Sequence, residues 1–154
     1  MITCTPRGIC STDYVLRSDE REALVTFRSL SEQGAIALGE SEYEIHKDSI
    51  LKSHWRLERQ GKTVAEAYKP SMWKEGLVVE VAGAEIGVQK TGFWSTSVQL
   101  VLADQVVAEI RKVHAFTNRA VIEGRTDELP FEVVCFAFWL VSAMWKRAAA
   151  AAST

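Results

Sequence analysis

The chain is short of the residues that build staples, cofactor loops and export signals. Its three cysteines, Cys4, Cys10 and Cys135, are odd in number and lack framework spacing. That excludes a disulfide scaffold and suits a reducing compartment. Cys4 and Cys10 sit too far apart, and too far from the nearest histidine, His46, to suggest zinc ligation. No glycine-rich phosphate loop, nucleophile elbow or HExxH helix is present, so neither an enzyme nor a cofactor is expected. A net charge of −2 supplies no overall basic field, which argues against a nucleic-acid partner. No positively charged start followed by an apolar stretch precedes Tyr14, so the expected location is cytoplasmic.

Long apolar runs are also scarce; there is one, Leu129–Trp145. What dominates instead is alternation. Glu42-Tyr43-Glu44-Ile45-His46 puts Tyr43 and Ile45 on one face, and His54-Trp55-Arg56-Leu57-Glu58 does the same with Trp55 and Leu57. Leu77, Val79 and Val81, then Val98, Leu100 and Leu102, keep the period of two. Such strands cover a core with one face and meet water with the other. Turn signals at Gln33-Gly34, Gln60-Gly61, Ala82-Gly83, Thr91-Gly92 and Ala103-Asp104 separate them, as in a meander of antiparallel hairpins. Val64–Lys69 and Val107–Lys112 resemble one another, with a shorter relative at Ile86–Lys90. Residues 1–12 show no periodicity and read as a flexible leader.

The apolar run reads as a helix over about 128–147. Asp127 is its expected cap, with Glu128 and Pro130 in the first turn, and Lys146 and Arg147 complement the dipole at the other end. Residues 148–154 read as a frayed alanine-rich tail. The helix is apolar all round, so lipid or protein must enclose it. Its length, ~30 Å, suits a bilayer core. A tail anchor, however, would force Lys146 and Arg147 across the membrane against the positive-inside tendency. A closed barrel wrapped round the helix covers the strands' apolar faces and leaves no sheet edge. The expected fold is therefore mainly β, a single domain over residues 13–147: a closed antiparallel barrel enclosing a hydrophobic C-terminal helix.

The hairpins around Trp55-Arg56-Leu57, Val64–Lys69 and Ile86–Lys90, followed by the Phe131–Trp145 helix, resemble the tubby C-terminal-like superfamily. That group includes tubby, the LURP-one-related proteins and the phospholipid scramblases. The resemblance implies a closed antiparallel barrel of roughly twelve strands threaded by its C-terminal helix, and binding of phosphoinositides through surface Lys and Arg. The leader has neither the proline-rich segment nor the calcium-site pattern of scramblases, which points away from scrambling.

Charge is uneven along the chain. Asp13–Ile45 holds eight acids and three bases, whereas His46–Lys74 holds seven bases and three acids. Lys47, Lys52, Arg56, Arg59, Lys62, Lys69 and Lys74, on the outward faces of neighbouring hairpins, are the candidates for anionic headgroups. Trp73 and Trp94 lie beside Pro70-Ser71 and Thr91-Gly92 and are candidate interfacial anchors. The leading expectation is a non-enzymatic domain that binds peripherally to anionic phospholipid or phosphoinositide surfaces. The alternatives are a soluble scaffold that presents loops to a protein partner, and a tail-anchored membrane protein.

Overall fold

Alternation of this kind folds into a sheet with one dry face. In the computed structural model, the described residues are 1–8, 11–28, 32–49, 52–70, 76–92, 95–114 and 116–153. The strands are β1 (Ile2–Pro6), β2 (Tyr14–Arg17), β3 (Glu22–Phe27), β4 (Gly34–Leu38), β5 (Ser41–Ser49) and β6 (Lys52–Arg59). They continue as β7 (Lys62–Tyr68), β8 (Leu77–Val81), β9 (Ala84–Lys90), β10 (Val98–Leu102), β11 (Gln105–Lys112) and β12 (Ala120–Gly124). Each pairs antiparallel with the next, and β1 returns to pair with β12 through Ile2–Ile122, Thr3–Val121 and Cys4–Ala120. The result is a closed twelve-stranded barrel without a free edge.

The closing strand comes from the segment that reads as a leader. Ile2 and Cys4 are buried, so residues 2–6 belong to the barrel wall. Two apolar residues separated by threonine are too short a pattern to announce a strand; β12 supplies the missing partner. A second correction concerns Gln33-Gly34, where Gly34 is already the first residue of β4.

The helix α1 (Phe131–Ala152) starts later and ends later than its residues suggest. Thr126–Glu128 forms a separate 3-10 turn, so Asp127 does not cap α1; Pro130 occupies the cap position, with no side-chain hydrogen bond. The alanine-rich stretch continues as helix to Ala152. Every residue from Phe131 to Ala143 is buried except Glu132, which stays half-buried in the first turn. The encloser of the apolar run is therefore the barrel.

Packing fixes the helix along its length. Trp55 faces Ala67 across β6–β7 and Leu57 faces Ala65, so the small residues of β7 make room for the large ones of β6. Tyr14 meets the Phe138 ring edge-on at 4.9 Å, and Phe27 stacks on Trp139 at 4.9 Å. Two helix indoles are anchored to the wall: Trp139 Nε1 donates to Thr26 O at 3.2 Å, and Trp145 Nε1 to Thr96 O at 3.0 Å. Each large side chain buried here contributes roughly 1.5–3 kcal/mol.

The same burial silences two thiols. Burial pushes Cys4 and Cys135 well up from the usual thiol range, reinforced by Cys135 beside Cys4 and by Glu132 beside Cys135. The thiolate is the reactive form. A Cys10→Ser variant should therefore take up no maleimide in native buffer and label at both remaining cysteines in denaturant; native labelling would contradict the packing.

The two ends of the barrel differ. At the end where α1 begins, three connections are two-residue turns with both residues left-handed: Gln60-Gly61, Ala82-Gly83 and Ala103-Asp104. These are the tight turns that match strand twist. At the end where α1 emerges, most connections are longer, spanning 7–13, 28–33, 69–76, 91–97 and 113–119. Function concentrates on such loops.

Candidate functional site

Antiparallel strands send successive residues of a charge run to opposite ends and opposite faces, and this disperses the bases between Lys47 and Lys74. Lys47 follows Tyr43 and Ile45 on the inward side of β5, at the end where α1 emerges; it is ion-paired to Glu32, with its amine 5.6 Å from the Trp55 ring centre. Arg56 points outward and is held by Asp48 at 2.6 Å and Glu58 at 3.4 Å. Arg59 lies over Tyr43 at 5.7 Å, and Lys62 follows the Gln60-Gly61 turn; both are at the opposite end, where α1 begins. Lys69 leaves β7 at the Lys47 end. Trp73, Lys74 and Trp94 lie outside the described residues, as does the Lys52 side chain. The described bases of this run do not form one outward-facing patch.

The outward face of β5–β7 is instead a balanced network. His46 Nε2 lies 2.9 Å from Glu44 and 3.3 Å from Glu58, while His54 lies 3.0 Å from Asp48 and 3.7 Å from Glu66. Ligand atoms of Glu44, His46 and Glu58 fall within 4.8 Å of one another, close enough to share a cation. Arg56, paired with Glu58, already supplies positive charge there. These contacts satisfy both histidines structurally.

A different set of bases does converge. The strands running toward the α1 C-terminal end are β1, β3, β5, β7, β9 and β11. Each ends at or beside a base: Arg7, Arg28, Lys47, Lys69, Lys90 and Lys112. Lys146 and Arg147 add to them from the helix. Arg7, Arg28, Lys69 and Lys90 make no ion pair with a described residue, and the described acids among them are Asp13, Glu32 and Asp48, of which Glu32 pairs with Lys47 and Arg147 and Asp48 with Arg56. The opposite end carries Asp19, Glu20, Glu40, Asp104, Asp127 and Glu128 on its turns. Charge is thus separated along the barrel axis, positive where the helix emerges and negative where it enters.

The sequence signal for this rim is periodic rather than local. The six strand-end bases recur about every twenty residues, the length of one hairpin. A run-based reading misses Arg7, Arg28, Lys90, Lys112, Lys146 and Arg147 because none of them belongs to a basic stretch before residue 75.

Two cavities open at the basic end, on either side of the emerging helix. One, of about 280 Å³, is lined by Ser53, Trp55, Lys69, Leu77, Lys90 and Arg147, among others. Gly76 closes its edge at φ +113°, with space for no Cβ because Val88 O would lie 2.6 Å away. The other, of about 300 Å³, is lined by Tyr14, Lys112, Asn118, Ser142, Trp145 and Lys146, among others. Burial pushes the Lys146 amine down to about 8, with Asp13 opposing that shift. Lys112 lies over the Trp145 ring at 4.9 Å. Trp55 Nε1 and Ser142 Oγ are buried polar atoms with no hydrogen-bond partner among the described residues; Trp55 belongs to the lining of the first cavity and Ser142 to that of the second. A larger depression at the acidic end, about 610 Å³, is lined by Asp19, Glu20, Asp127 and Glu128 together with Arg21.

Compared with known proteins, the chain matches no family model, no curated protein and no solved structure.

Proposed function

We propose that this protein is a non-enzymatic domain that binds peripherally to anionic phospholipid surfaces, with the α1 C-terminal end of the barrel facing the membrane. The observation that supports the reading is the ring of strand-end bases, which turns one end of an acidic protein into a cationic face. Each Lys or Arg brought near an anionic bilayer contributes about 1 kcal/mol, and the attraction fades within a Debye length. Several together give reversible binding. Phe116, 90% exposed in the 113–119 connection, adds an aromatic side chain that favours the interfacial region, and Val113 is exposed beside it.

Vesicles of phosphatidylcholine with phosphatidylserine should sediment the protein at low ionic strength and release it at high salt. Reversing Lys69, Lys90 and Lys112 to Glu should abolish sedimentation, whereas Lys62→Glu, at the other end, should leave it intact. Lys146 loses its charge as the pH rises through about 8, so binding should weaken across that range, well below the ordinary lysine transition. No sedimentation at low salt, or equal sensitivity to Lys62→Glu, would refute the reading.

A further inference from the structure

The outward face of β5–β6 breaks a rule that sheets normally keep. Glu44 and Glu58 stand directly opposite one another in the register. Like charges so placed destabilise a strand pair. Neither flanking strand offsets them: Ala35 of β4 stands opposite Glu44, and Thr63 of β7 opposite Glu58. His46, two residues after Glu44 and so on the same face, closes a triangle with them. Its Nε2 lies 2.9 Å from Glu44 Oε2 and 3.3 Å from Glu58 Oε2, and the three ligand atoms fall within 4.8 Å of one another. One imidazole nitrogen carries at most one proton, so the histidine cannot fully satisfy both carboxylates.

We propose that Glu44, His46 and Glu58 bind a zinc-class divalent ion. A tetrahedral zinc with bonds of ~2.0–2.1 Å holds its donors roughly 3.3 Å apart. Both His46 separations are close to that edge, and the carboxylate oxygens, within 4.8 Å, need to close by at most about 1.5 Å. Glu44, the most exposed of the three, is free to make that movement. The neighbouring charges prepare the site. Arg56 meets Glu58 through Oε1 at 3.4 Å, which leaves Oε2 turned to His46. Asp48 in turn holds Arg56 at 2.6 Å and lies 3.0 Å from His54. Fixing a ligating carboxylate through its other oxygen is how metal sites are made rigid. Three protein donors leave the fourth corner to water, on the solvent side of the wall. An imidazole with two carboxylates favours zinc and its transition-metal neighbours over magnesium or calcium, which take oxygen ligands and more of them. The contacts that satisfy His46 in the free protein are then exchanged for bonds to the ion. The site lies on the side of the barrel rather than at its basic end, so it goes beyond the membrane reading and does not depend on it.

The chain has three histidines, so their imidazole resonances report on the site directly. Zinc chloride added to the full chain carrying Cys10→Ser should move the His46 ring signals saturably, complete at about one equivalent, with one ion bound by the three donors. The His54 and His114 signals should shift far less, and magnesium chloride at matched ionic strength should move none of them. In calorimetry, His46→Gln should abolish zinc binding, and Glu44→Gln and Glu58→Gln should each weaken it about ten-fold or more. Glu80→Gln, on the outward face of β8, should leave it unchanged. None of these side chains belongs to the buried core, so every variant should melt as cooperatively as the parent. Zinc should raise the melting temperature of the parent, and His46→Gln should lose that rise. His46 signals indifferent to zinc would overturn the proposal, as would equal movement of all three histidines, an equal response to magnesium, or equal weakening by Glu80→Gln. Vesicle binding is a separate readout: its failure refutes the membrane reading and leaves the metal site standing.

Discussion

Deleting residues 129–147 is expected to destroy the fold. The lining of all twelve strands packs on the buried run from Phe131 to Ala143, which includes Phe136, Phe138 and Trp139. At roughly 1.5–3 kcal/mol for each large buried side chain, the loss exceeds the 5–15 kcal/mol that holds a typical domain folded. The truncated chain should sediment as insoluble protein and show no cooperative melting. A true membrane anchor would behave the other way, leaving a more soluble remainder. Removing 148–154 is the matched control: residues 148–153 are exposed, and their loss should alter stability by only a few tenths of a kcal/mol.

Gly34→Ala is expected to be nearly as damaging, by one methyl group. A Cβ at this position would overlap both Thr26 O and Trp139 Nε1, the two atoms joined by the hydrogen bond from helix to wall. Overpacking costs about 1–3 kcal/mol and leaving the indole N–H unpaired about 1–3 more, so a total of about 2–6 kcal/mol is expected from urea unfolding. Trp139→Phe removes the donor but keeps an aromatic ring beside Phe27, and should cost less. Because both changes act on one contact, the double variant should be less destabilised than the sum of the singles. Strict additivity would show that Gly34 matters for some other reason.

The barrel was legible where pattern and physics act locally. Tyr43 with Ile45, and Trp55 with Leu57, alternate without interruption, and both pairs line the interior. The helix from Phe131 to Trp145 has no polar face, so something had to surround it. The beginning of the barrel was not legible, since β1 offers only Ile2 and Cys4 and is stabilised by β12, over a hundred residues away. Nor was the helix start, because Asp127 has the chemistry of a cap but sits in a 3-10 turn that precedes Pro130. The site was hidden for a geometric reason. Bases close together in a meander, such as Lys47 and Arg59, separate to opposite ends, while bases one hairpin apart, such as Lys69 and Lys90, become neighbours.

The position of α1 after all twelve strands has a consequence for synthesis. A chain emerging from the ribosome N-terminus first presents every inward-facing strand residue before the element that covers them exists. The β1–β12 seam likewise joins the earliest strand to the latest, and non-local closure of this kind is slow. The nascent meander therefore carries a long exposed apolar face until its final turns are made, the state in which partly folded proteins aggregate. Chaperone demand should be concentrated in that interval and end abruptly once the helix threads the barrel.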